Sequence, residues 1–286
     1  TTIGDYAFSY CYNLSSITIP DSVTEIGDYA FSGCGGLSVA HLSNSLVSIG
    51  DYAFQNCNNI SSITITASIK NIGIRAFDGC CNLTTVNFNA INCSSMGASN
   101  NYVFNGCNAF NTLNIGASVT QIPKYAFYGC NGLTSIVFPN ALIIVDSFAF
   151  VNCSSLTSLI IPDSVTTINY AAFWGCTGLS SVTIGKSVSS IGSFAFRNCS
   201  SIVSVNFNAV NCTKMGEPSA YVFYECTSMT ELIIGDSVTT IPAYAFVACN
   251  GLTSVSFPNH LTSIDSNAFS GCGGLISVSI PNSVIY

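Results

Sequence analysis

Apolar and polar residues recur along this chain with a fixed period of 23 residues. In residues 14–36, Ile17 and Ile19 alternate with polar residues and a proline follows, which is the period-two pattern of a strand with one buried face. The turn-rich segment after it should point Val23 and Ile26 inward. The pattern of each repeat therefore predicts a strand of about four residues, followed by a return segment with one apolar side.

The last third of the repeat predicts a short helical turn. Ala30, Phe31, Cys34 and Leu37 follow one another at steps of one, three and three, which places them on one side of a helix. An acceptor suited to the N-cap position precedes them in several repeats: Asp5, Asp28, Asp51, Ser193 and Ser266.

A phenylalanine three residues before a cysteine marks each repeat. Successive phenylalanines lie 23 residues apart, except for two steps of 27, from Phe77 to Phe104 and from Phe196 to Phe223. A period in this range is typical of a solenoid, in which each repeat is buried against its neighbours. We therefore predict one curved α/β solenoid over residues 1–286, with about 12 repeats, a parallel sheet on the concave side and helical turns on the convex side.

The two long repeats lie 119 residues apart and indicate an internal duplication. Residues 104–150 and 223–269 are identical at 27 of 47 positions at that offset. We infer that a block of five repeats was duplicated, so a residue shared by the two copies is weak evidence of a functional site.

The repeat resembles the leucine-rich repeats of the BspA-like, treponeme-type class. One copy carries the pattern in full: Leu156, Leu159, Ile161, Pro162, Val165, Ile168, Ala172, Phe173 and Cys176. This resemblance implies an extracellular or cell-surface microbial protein that mediates adhesion or binds partners. The family contributes no catalytic residues to carry over.

Composition and charge exclude several classes of partner. Charged residues make up only 7% of the chain and the formal net charge is −7, which argues against nucleic acids and anionic membranes because both select clustered Lys and Arg. Apolar runs such as 141–145 are far shorter than the ~18 residues that span a bilayer, so we predict no membrane insertion within this segment.

Both ends of the sequence fall inside a repeat. Residues 1–4 match the tail of a unit, and residues 284–286 stop part-way through another. The sequence contains no signal peptide, anchor or polar cap, so we expect a segment of a longer protein whose caps or flanking domains lie outside it.

Fifteen cysteines are interpreted mainly as packing residues. Twelve follow the phenylalanines on the buried side, and Cys93 and Cys212 replace core aliphatics in the long repeats. Only Cys81 occupies an exposed position, which makes it the one candidate for a reactive thiol. Reduced thiols are favoured, although disulfides between stacked repeats stay open. No metal site or cofactor is predicted, because His41 and His260 lie far from any cysteine pair.

Outward positions of the strands form a face rich in serine and threonine, interrupted by amides at the long repeats and by two aliphatic residues on adjacent strands. We predict that this concave face binds a host or extracellular-matrix protein, with a glycan as a second ligand class and a purely structural spacer as the alternative. The predicted binding residues are Thr85, Asn87, Asn89, Ser135, Val137, Ser158, Ile160, Ser204, Asn206 and Asn208.

A second stripe consists of aromatic residues two positions before the phenylalanine: Tyr6, Tyr29, Tyr52, Tyr125, Phe148, Phe194, Tyr221 and Tyr244. Ring-on-ring packing explains its regularity better than a binding strip does. Motifs for nucleophilic, metal-dependent or phosphate chemistry are lacking, so we predict that the protein is not an enzyme.

Overall fold

The computed structural model describes residues 1–285, which group into two compact units, 1–141 and 142–285. Each unit is a parallel β-solenoid whose turns of chain, here called rungs, stack on one another. A rung contains a long strand, a short strand and a run of tight turns. The solenoid prediction is therefore confirmed.

The first unit contains two parallel ladders of strands. Its long strands are β2 Ser16–Thr18, β4 Val39–His41, β6 Ser62–Ile65, β8 Thr85–Phe88 and β10 Thr112–Ile115. Its short strands are β1 Thr2–Ile3, β3 Glu25–Ile26, β5 Ser48–Ile49, β7 Asn71–Ile72, β9 Ser95–Met96 and β11 Gln121–Ile122. The long strands pair as β2–β4 and as β6–β8–β10, and the short strands β1, β3, β5, β7 and β9 form one continuous ladder.

The second unit repeats this arrangement. Its long strands are β13 Ser158–Ile160, β15 Ser181–Ile184, β17 Ser204–Phe207, β19 Glu231–Ile234, β21 Ser254–Val255 and β23 Ser277–Val278. Its short strands are β12 Ile144–Val145, β14 Thr167–Ile168, β16 Ser190–Ile191, β18 Lys214–Met215, β20 Thr240–Ile241 and β22 Ser263–Ile264. The pairs run β13–β15–β17–β19 and β21–β23 among the long strands, and β12–β14–β16–β18 and β20–β22 among the short ones.

Strict alternation of side chains sets the register of the long strands. In β6, Ile63 and Ile65 are buried while Ser62 and Thr64 are exposed, and Ile63 lies opposite Val86 of β8. A slip of one residue would turn the aliphatic side chains out to water, so burial fixes the pairing. In the type repeat Ile19, Val23 and Ile26 are also buried, as predicted.

The predicted helical turns are wrong: residues 1–285 contain no helix. Tyr29 and Gly33 have φ of +55° and +75°, a left-handed conformation that interrupts a right-handed helix. The N–H groups of Tyr29, Phe31 and Gly33 donate to carbonyls of the next rung, whereas those between them close turns within their own rung. An α-helix would instead use every N–H four residues back. The four residues assigned to the helix face are nonetheless fully buried.

The aspartates predicted as helix N-caps connect rungs instead. The Asp5 carboxylate accepts the N–H of Asp28 at 2.8 Å, and the Asp28 carboxylate accepts the N–H of Asp51 at 2.7 Å. Asp51 does the same for Ile74 at 2.8 Å. The N-cap assignments of Ser193 and Ser266 are also wrong, because no helix begins at either residue.

Stacked phenylalanine rings form the spine of each unit. In the first unit, neighbouring ring centroids from Phe8 to Phe127 lie 5.1 to 6.1 Å apart. In the second unit, those from Phe150 to Phe269 lie 5.2 to 5.8 Å apart. Offset stacking at such separations is favourable beyond the burial of area.

The cysteine ladder lies beside this spine. Eleven of its twelve thiols are buried, and all fifteen cysteines in the chain are free. The exception is Cys11, which is exposed. Eight of the buried thiols donate a hydrogen bond to the phenylalanine carbonyl of the preceding rung, as Cys57 does to Phe31 at 3.2 Å.

In each unit, the hydrogen bonds that join the core phenylalanines to the next rung are interrupted directly after the long repeat. The N–H of Phe77 donates to the carbonyl of Val103 at 3.0 Å, but the N–H of Phe104 makes no such bond to the rung that follows. Pro123 occupies the position from which Gly73 donates to Ile49, and proline has no N–H. The second unit repeats this interruption at Phe223 and Pro242, at the same offset.

Candidate binding face of the long strands

The outward side chains of the long strands form a surface that we call the outer strand face. In the first unit it carries a row of hydrogen-bonded polar groups across three neighbouring strands. The amide of Asn114 donates to the carbonyl oxygen of Asn87 at 2.8 Å, and the amide of Asn87 donates to the hydroxyl of Thr64 at 3.2 Å. These contacts hold each amide in one orientation, so the row is preorganised.

A shorter version of this row lies in the second unit. The Asn206 amide donates to the Thr183 hydroxyl at 3.4 Å. Ile233 follows Asn206 in register on the next strand and is 47% exposed. Sequence reasoning missed Ile233, although two successive aliphatic residues in a strand, Ile233 and Ile234, already indicate that one of them points outward.

Asn89 and Asn208, also predicted as binding residues, lie just beyond their strands and contact the next rung. A Cβ placed on Gly116 would lie 2.6 Å from the side-chain oxygen of Asn89, and a Cβ placed on Gly235 would lie 2.6 Å from that of Asn208. Each amide therefore occupies the space left by a glycine. These contacts favour a structural role for both residues.

Ser135 and Val137 lie at the edge of the first unit's sheet. Residues 134–138 do not form the strand predicted there, and Val137 is 80% exposed. Pro139 has no N–H to donate as Gly116 donates to Phe88, but Pro20 and Pro162 hold the same position after β2 and β13, so proline alone does not explain the missing strand. A depression of about 530 Å³ lies between residues 111–115 and this segment.

Ser158 and Ile160 belong to β13 in the second unit, where Ile160 pairs in register with Thr183 and is 67% exposed. The interpretation of Val137 and Ile160 as one apolar spot stays a prediction, because the two residues belong to different units. Thr85 and Ser204 begin their strands and are half-buried.

Electrostatically the outer strand face is nearly neutral. Glu231 is the one formally charged residue within the long strands that the structure describes, and His41 points outward from β4. Hydroxyls and amides supply the remaining polar groups. Such a surface offers hydrogen bonds and shape rather than a net electrostatic field.

Cys81 is exposed, as predicted, beside the buried thiol of Cys80. Within residues 1–285, no group of three or more His, Cys, Asp or Glu side chains converges to hold a metal ion. The aromatic stripe packs ring on ring at Tyr6, Tyr29 and Tyr52, with centroids 4.9 and 4.7 Å apart. Over that part of the stripe the packing interpretation is confirmed.

Comparison with known proteins identifies the repeat. A family model described as a BspA type leucine rich repeat region of six copies matches residues 1–100, 97–219 and 216–286. None of the described residues forms a helix long and apolar enough to cross a membrane. No functionally curated protein matches the chain significantly.

Solved structures of bacterial leucine-rich repeat proteins are similar to this chain. One, from Bacteroides ovatus, is 29% identical with a TM-score of 0.61, and the match covers 100% of this chain and 77% of that one. Another, described as a leucine rich cell surface protein from Faecalibacterium prausnitzii, is 30% identical with a TM-score of 0.45, covering 98% of this chain and 82% of that one.

Proposed function

The chain belongs to the family of BspA-type leucine-rich repeat proteins, and from that premise we propose that it is a non-enzymatic binding protein whose outer strand face docks a protein partner. The partner class is a host or extracellular-matrix protein, and the function is adhesion. Neither a cofactor nor a metal takes part.

One observation carries this proposal: large aliphatic side chains point into water from a face that the fold does not require to be apolar. Val137 and Ile160 are 80% and 67% exposed, and Ile233 is 47% exposed. Equivalent outward positions in the other repeats hold threonine, asparagine, serine or histidine, so the repeat itself does not demand an aliphatic residue there. Aliphatic residues beside fixed polar groups are what a protein interface combines at its centre.

The hydrogen-bonded row gives the proposed interface its specificity. Asn87 and Asn114 already have fixed orientations, so binding orders few additional side chains. Repeat solenoids also present their strand face as an extended binding surface, and we propose the same use here. A location at a microbial cell surface belongs to the same proposal and comes from family membership.

Saturable binding tests this function. The chain would be immobilised and titrated with fibronectin, laminin, fibrinogen and collagen, and binding recorded by biolayer interferometry. We expect saturable binding to at least one of them. Val137→Glu, Ile160→Glu and Asn87→Glu should each weaken that binding by about tenfold or more, because each introduces a charge that the interface must desolvate.

Asn71→Glu is the matched control. Asn71 is exposed on the short strand β7, so this change adds the same charge on a different surface and should leave binding intact. Binding that survives all three outer-face substitutions would refute the assignment of the surface. The lack of any saturable protein partner would favour the spacer function instead.

A further inference from the structure

One column of side chains on the tight turns differs in chemistry between the two units. It consists of the residue directly after each core phenylalanine. In the first unit the first five residues of the column are polar and the sixth is a tyrosine stacked on Tyr102: Ser9, Ser32, Gln55, Asp78, Asn105 and Tyr128. In the second unit it reads Val151, Trp174, Arg197, Tyr224, Val247 and Ser270.

In the second unit, Arg197 lies at the centre of an aromatic cluster. Its guanidinium carbon lies 5.2 Å from the Trp174 ring, 5.1 Å from the Phe194 ring and 5.3 Å from the Tyr224 ring. Its Nε also pairs with the Glu225 carboxylate at 3.3 Å. These contacts hold the guanidinium group in one place.

Further rings extend the cluster over neighbouring rungs. The Tyr170 ring meets Phe194 edge-on at 5.8 Å, and the Tyr221 ring lies 6.1 Å from Tyr224. Tyr170 and Tyr224 are 40% and 36% exposed. The result is a continuous aromatic surface, with Arg197 and Glu225 as its hydrogen-bonding groups, open to solvent.

The fold does not require this cluster. At the equivalent position in the first unit, Asp78 accepts hydrogen bonds from the amides of Asn105 at 2.7 Å and Gln55 at 3.1 Å. A polar column is thus compatible with the same stacking of rungs. Because the two five-repeat blocks are otherwise similar, the stacking of rungs does not explain why the second unit has aromatic and cationic side chains in this column. Exposed aromatic surface of this kind marks interaction sites.

We propose that the Trp174–Arg197–Tyr224 cluster binds a neutral oligosaccharide, at a site separate from the outer strand face. A sugar ring presents C–H groups on its faces and hydroxyls around its rim. Flat aromatic rings match the faces, while a fixed guanidinium donates to hydroxyl oxygens and a neighbouring carboxylate accepts from hydroxyl hydrogens.

Local charge favours a neutral ligand over an acidic one. The Arg197 charge is balanced by Glu225, and the protein carries a net charge of −7, so an anionic peptide would meet overall repulsion. A cationic ligand would have to displace Arg197 from the rings that already surround it. A neutral ligand with many hydroxyls avoids both costs.

The chain offers a direct probe, because Trp174 is its only tryptophan. Intrinsic fluorescence would be recorded while the protein is titrated with cellohexaose, maltohexaose, laminarihexaose and chitohexaose. We expect a saturable change in Trp174 emission with at least one of these sugars. Arg197→Ala and Tyr224→Ala should weaken that binding by about tenfold or more, since each removes a direct contact.

Gln55→Ala and Asn105→Ala are matched controls from the equivalent column of the first unit and should leave the affinity unchanged. Thermal unfolding of each variant would separate lost binding from lost structure, and Tyr224→Phe keeps the ring if Tyr224→Ala does not fold. Lack of a response to all four sugars would overturn the proposal, as would a response that survives both Arg197→Ala and Tyr224→Ala. Val137→Glu should not alter sugar binding. A negative result for the oligosaccharide site is therefore distinct from a negative result for protein binding at the outer strand face.

Discussion

At the scale of single residues, the cysteine is the most specialised part of the repeat. The buried thiol packs beside the phenylalanine stack and also donates to a main-chain carbonyl of the preceding rung. Alanine would fill part of the volume without donating, and serine would bury a more strongly polar group. A cysteine meets both requirements, which explains its use in the eight rungs where the thiol makes this bond.

Replacing one ladder cysteine should measure this contribution. Cys57→Ala leaves the Phe31 carbonyl without its thiol donor and opens a small cavity, so we expect a loss of about 1–3 kcal/mol in the free energy of unfolding. Urea denaturation would measure it. Cys81→Ala, at an exposed thiol, should change stability by less than about 0.5 kcal/mol; equal losses in both variants would contradict the account.

Alkaline pH should destabilise the fold through the same thiols. Burial raises the pKa of Cys57, Cys93 and Cys212 from 9.0 to about 12, because the thiolate is poorly solvated inside the protein. The contribution of these protonated thiols to the free energy of unfolding is complete below pH 9, where the thiols keep their protons in both the folded and the unfolded protein. It decreases as pH rises toward 12, because the thiols of the unfolded chain are then ionised while the buried thiols stay protonated. Melting temperatures under reducing conditions should therefore decrease over this range. In Cys93→Ala the decrease should be shallower, and an unchanged slope in that variant would contradict the interpretation.

At the scale of the element, the tight turns depend on residues that tolerate a left-handed backbone. The second residue after each core phenylalanine has positive φ in all twelve rungs. Six of these residues are glycine and three are asparagine, the residues that adopt this conformation most readily. The turns therefore replace a helix at the cost of a left-handed residue in every rung, which is tyrosine, glutamate or alanine at Tyr10, Glu225 and Ala248.

Alanine substitutions at two glycines distinguish the cost of a left-handed backbone from the cost of a steric clash between neighbouring rungs. Gly129 has φ of +73° and open space around it, so Gly129→Ala should cost roughly 1 kcal/mol from conformation alone. A Cβ on Gly178 would instead collide with the Ser154 carbonyl oxygen and approach that of Leu156 to 3.0 Å. Gly178→Ala should therefore cost roughly 2–3 kcal/mol by overpacking. Thermal unfolding would compare them, and a larger loss for Gly129→Ala would contradict this ranking.

Sequence reasoning predicted the buried positions but not the conformation of the turns. Steps of one, three and three fit a helix face, yet they also fit turns in which alternate N–H groups bind the next rung. Glycine or asparagine at positions such as Gly33 and Asn56 was the available signal, since a helix interior disfavours both.

The candidate sites were predicted only in part. The outward amide of Asn87 follows from strand alternation. The Arg197 cluster could not be predicted, because its contacts depend on how rungs stack through space.

At the scale of the whole molecule, the phenylalanine spine of each unit has a weak junction directly after its long repeat. Ring centroids are farthest apart there, at 6.1 Å between Phe104 and Phe127 and 5.8 Å between Phe223 and Phe246. At this junction the phenylalanine N–H makes no hydrogen bond to the next rung, and the ladder thiol makes none to the phenylalanine carbonyl of the preceding rung. The long strands still pair across it, so the outer strand face remains continuous there.

Amide exchange should locate these junctions. The N–H groups of Phe104 and Phe223 have no acceptor in the next rung, whereas those of Phe77 and Phe196 bond at 3.0 Å. Residue-resolved hydrogen–deuterium exchange should show Phe104 and Phe223 exchanging at least about tenfold faster than their counterparts. Equal protection at all four amides would contradict an interruption in the ladder.

The central claim is that a protein partner binds the outer strand face, and a footprint of the bound complex tests it most directly. Hydrogen–deuterium exchange of the chain would be compared with and without the matrix protein that it captures. We predict added protection on long strands, above all β8 and β10 in the first unit or β13, β15, β17 and β19 in the second, and unchanged exchange on the short strands. Protection confined to the short strands or to the tight turns would contradict the account.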